Sequence, residues 1–379
     1  MADLANKTLI QLSKSCLSDA EKQAVIGVLD REYLGMGIEV QQFEEALSEF
    51  FGRPAVCVVN GTAALHLALQ AYGIDRGDEV LVPSLTYIAS FQAISATGAK
   101  PIACDINEGT YLLDLADAEK RVTAKTKAIM PVHYTGGVVD LDAIYEFANK
   151  YSLRVVEDAA HAFGTIYNNK RVGSFGDVAC FSFDGIKNIT SGEGGCIVTK
   201  NEAVLQKIRD TRLLGVEKDT DKRFVGGRSW DFDTTAQGWR FHMSNIMAAI
   251  GIEQLNRFPE FAKKRQELAK QYDGLFSDNL KINPVPRDYD TVVPHIYVVR
   301  IAEMKDRKEI RHKLMEKGIQ TGYHYQPNHW LGKYKDEEHD SLPVTDTIFP
   351  ELMSLPLHPD LTVEDVIYVA SELIKLISH

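Results

Sequence analysis

From residue 19 to residue 255 the chain repeats one pattern: a short run of apolar residues, then a longer stretch of helical periodicity. Runs at 80–83, 101–105, 128–132, 153–156 and 179–183 hold few polar side chains, and 194–199 supplies another. Strands without an apolar–polar alternation are buried on both faces. Joined by helices, they build a largely parallel sheet covered on both sides, an α/β domain that we place at residues 1–255 with an N-terminal arm. A long helical stretch, 245–276, then carries charge on one face and Leu, Ile and Ala on the other, and reads as a bridge. Beyond it a strand-like run (294–301), a helical run (305–317) and a closing amphipathic helix (360–378) predict a smaller α+β domain, residues 256–379. The charged, glycine-bearing segment 215–239 reads as a loop excursion near the functional site. With 379 residues, 45% of them hydrophobic, the chain has core enough for two domains.

Three windows on this framework carry chemistry. In Phe183-Asp184-Gly185-Ile186-Lys187-Asn188 a lysine sits in a small-residue turn between two apolar runs. An amine whose charge is disfavoured there becomes a nucleophile toward carbonyls and can form a Schiff base; the plain alternative is a solvated loop lysine. In Val155-Val156-Glu157-Asp158-Ala159-Ala160-His161 a strand ends on Asp158. A carboxylate at that edge of an open sheet can pair with a protonated ring nitrogen, as a pyridoxal phosphate pyridinium requires, or it can cap a helix. In Val58-Val59-Asn60-Gly61-Thr62-Ala63-Ala64 a strand turns into a helix. The free N–H groups of that first turn, the Thr62 hydroxyl and the bare Gly61 backbone can hold a phosphate, although many such turns bind nothing.

Together with further windows in the same order, these resemble the DegT/DnrJ/EryC1/StrS sugar aminotransferases, fold-type I pyridoxal phosphate enzymes. The further windows include Tyr33-Leu34-Gly35-Met36-Gly37, Val82-Pro83-Ser84-Leu85-Thr86-Tyr87, Pro131-Val132-His133-Tyr134, Gly192-Glu193-Gly194-Gly195, His324-Tyr325-Gln326-Pro327 and Leu355-Pro356-Leu357-His358-Pro359. The resemblance implies a seven-stranded, mostly parallel sheet between helices. It makes Lys187 the Schiff-base lysine that also moves a proton, and Asp158 the partner of the pyridinium. Tyr87 would stack on the ring, and His161 would sit beside its phenolic oxygen. Gly61, Thr62, Ala63 and Ser182 would hold the phosphate, with Asn245 reaching it from the neighbouring subunit of a homodimer whose active sites are shared. His324, Tyr325, His329 and Arg240 are candidates for the substrate.

Two departures stand out. Relatives commonly read Gly-Tyr-Asn-Tyr-Arg-Met where this chain has Gly238-Trp239-Arg240-Phe241-His242-Met243, so Arg240 and His242 both become candidates for neutralising an anion. Asn60 stands where serine is frequent. A related subgroup with histidine in place of the lysine performs dehydration; this chain keeps Lys187.

The expected reaction transfers an amino group from an amino acid, with glutamate the expected donor, to a nucleotide-linked keto-deoxysugar. Carbon 4 is favoured over carbon 3, for surface-polysaccharide (O-antigen) or related amino-sugar synthesis. Rival readings are transamination of a cyclitol or sugar dehydration on the same scaffold, a non-catalytic sugar-nucleotide or cofactor sensor, and a cofactor-free Schiff-base enzyme such as an aldolase. A net charge of −11 argues against nucleic acid as a partner, leaving local cations such as Lys170, Arg171, Arg223, Arg228 and Arg240 to meet an anionic substrate. No run approaches a membrane span and no secretion signal is evident, so the cytoplasm is expected. The five cysteines show no metal-ligand spacing with one another or with the eleven histidines, and we expect reduced core thiols and no metal.

Overall fold

The computed structural model describes residues 9–335 and 341–377. Nine of its strands lie between residues 55 and 198: β1 (Ala55–Val58), β2 (Glu79–Pro83), β3 (Lys100–Cys104), β4 (Thr126–Ile129), β5 (Arg154–Asp158), β6 (Ile166–Tyr167), β7 (Lys170–Arg171), β8 (Val178–Ser182) and β9 (Gly195–Val198). Seven of them form one sheet in the order β1-β9-β8-β5-β4-β2-β3, while β6 and β7 make a separate hairpin. Contacts among β8, β5, β4, β2 and β3 are all parallel, and β9 alone is antiparallel to its neighbours. Six strands therefore point the same way, and their C-terminal ends share one edge. That is where open α/β sheets bind ligands.

The sheet has this shape because its central strands are largely apolar on both faces. Every residue of β1 and β9 is buried, as are most of β2, β5 and β8. One face packs under the helix Gly61–Ala71, the other under Ile38–Phe51 and the first half of the long helix. Between β8 and β9 the chain needs only a turn, because β9 runs back beside β8, and that turn holds Lys187. Gly195 starts β9 with no room for a side chain: a Cβ there would lie 2.7 Å from Phe181 O and 2.8 Å from Asn60 O.

The long helix spans Asn245–Phe276 without a break, so the expected boundary after Leu255 falls inside it. Phe258 and Phe261 pack into the core shared with the large sheet, whereas Leu268, Ala269, Tyr272 and Phe276 join a second core. That core covers the three-stranded antiparallel sheet of β10 (Ile282–Pro284), β11 (Tyr297–Ile301) and β12 (Leu352–Leu355), together with the helix Val363–Ile377. Ser378, expected to end that helix, lies outside the described residues. The N-terminal segment does not stay with the large sheet: Ile10 bridges to Ile319, and Leu357 N–H donates to Leu12 O. The stretch 215–239 is not all loop either. It contains the helix Asp219–Phe224, in which Arg223 pairs with Asp219 at 2.7 Å.

Candidate active site

Four strands deliver residues to the common edge. Asp158 ends β5, Ser182 ends β8, and Lys187 follows in the turn to β9. Gly61 opens the helix after β1, and Tyr87 precedes the helix after β2. From the other side, the segment before β11 brings His295 and the segment before β12 brings His324 and Tyr325.

Lys187 is half-buried, and burial draws its amine down from 10.5 to about 8. Asp158 and Asp184 pull the other way, and Arg265 adds to the lowering. Its Nζ lies 3.3 Å from His295 Nε2. Burial, followed by the charge of Lys187, holds both His161 and His295 well below the usual imidazole range, and His324 is pushed down to about 4 for the same reasons. Three uncharged imidazoles thus surround the amine. They connect to one another: the rings of His161 and His295 are 4.6 Å apart, and His161 Nε2 lies 3.0 Å from Tyr325 Oη. His324 Nδ1 is 2.6 Å from Ser354 Oγ, and its carbonyl accepts from Tyr134 Oη.

Asp158 is 6% exposed and held from two directions. Ser90 Oγ donates to Oδ2 at 2.7 Å, and the Ala160 N–H donates to Oδ1 at 3.2 Å. Both bonds come from neutral groups. At the phosphate-type turn, Asn60 caps the helix by accepting from the Ala63 N–H at 2.8 Å. This corrects the expectation for Ala63, whose donor is already used. The N–H groups of Gly61 and Thr62 have no helical acceptor. Gly61 packs so closely on β8 that a Cβ would come within 2.8 Å of Ser182 Cβ.

Other expected residues divide. Tyr87 is 56% exposed with its ring 5.4 Å from that of Tyr325, at the mouth of the site. Arg240 is exposed, and no hydrogen bond or ion pair of its side chain occurs among the described residues. Asn245 is turned inward: it is 1% exposed, and Nδ2 donates to Tyr33 O of its own chain at 3.0 Å. Within its own chain the amide braces the turn before the helix Ile38–Phe51, while Oδ1 is buried with no hydrogen-bond partner among the described residues. His329 is also corrected. Nδ1 lies 2.7 Å from Ser84 Oγ and Nε2 2.9 Å from Asp346 Oδ1, leaving no ring nitrogen for a sugar. With Asn328, which donates to Ser84 O and Thr86 O, it clamps the loop that presents Tyr87. Arg171 lies over the Phe50 ring and Arg223 is paired, so neither is a free cation. His295, Ser90 and Arg265 were missed by the sequence reading. His295 had a signal, an isolated imidazole opening an apolar run, whereas nothing in sequence separates Arg265 from its charged neighbours.

These residues fit pyridoxal phosphate on grounds the structure itself supplies. A close-packed helix start with two free N–H donors suits the phosphate, a buried carboxylate at the sheet edge suits the ring nitrogen, and a lysine with a lowered pKa stands beside them. His161 Nδ1 is buried with no hydrogen-bond partner among the described residues. The class that this fold and this sheet edge define is the pyridoxal-phosphate-dependent aminotransferases of fold type I.

Comparison with known proteins narrows the class. The profile of the DegT/DnrJ/EryC1/StrS aminotransferase family matches residues 15–374, and the chain belongs to that family. It is 35% identical over 375 residues to the uncharacterized protein MJ1066 of Methanocaldococcus jannaschii, covering 97% of each. Among solved structures it resembles Helicobacter pylori PseC, an aminotransferase involved in the biosynthesis of pseudoaminic acid (TM-score 0.90, 29% identity, 98% of this chain and 100% of that one). It also resembles Spr1654 of Streptococcus pneumoniae in its pyridoxal phosphate form (TM-score 0.91, 29% identity, 98% and 99% covered), a protein solved in a pyridoxamine phosphate form as well. Pyridoxal phosphate is the cofactor of this enzyme.

Proposed function

We propose that the protein transfers an amino group from an amino acid, glutamate being the favoured donor, to a keto carbon of a nucleotide-linked deoxysugar. The observation that carries this reading is Lys187, an amine lowered to about 8 on the sheet edge that also bears Asp158. When bound, pyridoxal phosphate supplies the carbonyl that receives the amino group and a ring that withdraws electrons. Lys187 Nζ carries the proton between carbon atoms, and with a pKa near 8 it releases and recovers that proton near neutral pH. Asp158 would meet the ring nitrogen, His161 would present a neutral N–H beside the ring, and Gly61, Thr62 and Ser182 would hold the phosphate. His324, Tyr325 and Tyr87 line the open side with hydrogen-bonding groups and aromatic faces that suit a sugar, and the exposed Arg240 suits its diphosphate.

The sugar reading is supported by PseC and by CalS13 of Micromonospora echinospora, a sugar aminotransferase. Preference for carbon 4 rests on the resemblance of the Lys187 loop, and a role in surface-polysaccharide synthesis on the family. Exposed Leu34 and Ile38 beside the buried Asn245 favour a homodimer with active sites shared between subunits. Among the described residues no helix is long and apolar enough to cross a membrane, which accords with the cytoplasmic location we propose.

The test is an absorbance spectrum of protein with cofactor, before and after glutamate, for wild type and Lys187→Ala, followed by a panel of keto-sugar nucleotides and keto-cyclitols. A visible band that glutamate shifts, present only when Lys187 is present, with turnover confined to sugar nucleotides, is expected. Turnover of cyclitols alone would replace the substrate assignment, and absence of the band in wild type would remove the mechanism.

A further inference from the structure

We propose that His295 is a positioning residue for Lys187, holding its amine beside the cofactor site whenever the lysine carries no covalent bond. The proposal rests on the reading of Lys187 given above. A Schiff-base lysine is set free and recaptured during each turnover, and four methylenes give a free amine many places to go. In this site one of them has a partner. His295 Nε2, 3.3 Å from Nζ, is the sole hydrogen-bond partner of the amine among the described residues. Asp158 and Asp184 act on the amine through space, without a hydrogen bond to it.

The ring is suited to that task because it is uncharged. It is 3% exposed, and the surrounding Lys187, His161, Arg265 and His324 add to burial in disfavouring its protonation. A neutral imidazole can accept from an ammonium or, in the other tautomer, donate to a free amine, so the contact survives either charge state of the lysine. Its other nitrogen, Nδ1, is buried with no hydrogen-bond partner among the described residues.

The pair is also braced from behind. Arg265, 2% exposed on the long helix, donates to His295 O at 3.0 Å, to Leu357 O at 3.2 Å, and to Pro294 O and Lys187 O at 3.5 Å each. Among the described residues it has no carboxylate partner. A buried guanidinium bound only by carbonyls is costly, and here it joins the backbone of the lysine to the backbone of the histidine. The two residues lie 108 positions apart in the sequence, and this one side chain bonds to the backbone of both.

The experiment follows the growth of the visible band after pyridoxal phosphate is mixed with apo-protein, a capture rate that requires no turnover. Wild type, His295→Leu, His295→Gln and the Lys187→Ala control are compared, each with its melting curve. His295→Leu is expected to slow capture about tenfold, the factor for one lost hydrogen bond to a charged group, with a cooperative melt retained. His295→Gln, whose amide reaches the place of Nε2, is expected to recover most of the rate. Wild-type capture by the Leu variant overturns the proposal, and so does equal slowing by Leu and Gln, which would mean that only packing matters. If neither variant melts cooperatively, histidine nitrogen resonances of the wild type and Lys187→Met decide: an imidazole nitrogen must move on losing the amine, and unmoved resonances overturn the proposal. A band formed by Lys187→Ala would instead overturn the assignment of the lysine.

Discussion

Ser90 Oγ donates to Asp158 Oδ2 at 2.7 Å, so the helix after β2 fixes the carboxylate that ends β5. Both residues are buried, which makes the bond dependent on the folded sheet and gives it the strength of a charge-assisted contact. Ser90→Ala is expected to weaken cofactor binding about tenfold while leaving the melting temperature within a few degrees. Titration of apo-protein with pyridoxal phosphate measures it; an unchanged dissociation constant would show that Asp158 is held well enough by Ala160 N–H alone.

Lys187 makes stability depend on pH in a defined direction. Its pKa is about 8 folded against 10.5 as the ordinary value. Below pH 8 both folded and unfolded chains carry the proton, and the folded apo-protein bears the whole cost of the buried charge. Between 8 and 10.5 the folded state gives up the proton first and that cost disappears. Lys187→Met is therefore expected to stabilise apo-protein by about 2 kcal/mol at pH 7, a gain that shrinks toward zero by pH 10.5. Paired urea denaturation curves at the two pH values read the difference.

Gly61→Ala tests the phosphate turn. The added Cβ meets Ser182 Cβ at 2.8 Å, so the helix start must move away from β8. A stability loss of about 1–3 kcal/mol is expected. Affinity for pyridoxal phosphate should fall more than affinity for pyridoxal, because the displaced N–H groups contact only the phosphate in our reading. Equal losses for the two ligands would place the phosphate elsewhere.

For His329 the expectation is structural. Replacing it with Ala removes bonds to Ser84 and Asp346 and should cost about 2–3 kcal/mol. The KM for the sugar nucleotide should stay within about threefold of wild type, since a shift below 1 kcal/mol is what an indirect change usually gives. A large KM change with unaltered stability would return His329 to the substrate site.

The alternation of apolar runs and helical stretches was legible because strands buried on both faces leave a compositional trace, and a largely parallel sheet follows from it; its seven strands came only with the family resemblance. Lys187, Asp158 and Gly61 could be picked out of the sequence as well, since each sits at the end of a strand or in the few residues that follow one. The contrast with His329 and Ala63 is instructive. Their residue types were right for the roles expected of them, but a hydrogen-bonding group is available only if nothing nearby has taken it, and Ser84, Asp346 and Asn60 had done so. Asn245 Nδ2 is likewise engaged within the chain, by Tyr33 O.

By itself, then, the chain's sequence determined a parallel-sheet scaffold and the residues that local turns place at strand ends, because those depend on neighbours within a few positions. Tertiary structure alone decided that His295 meets Lys187, that Ser90 meets Asp158, and that Arg265 braces the lysine from 78 residues away. Such contacts join segments distant in sequence. They exist because burial removes water as a competing partner and leaves each polar group to find its mate inside the protein.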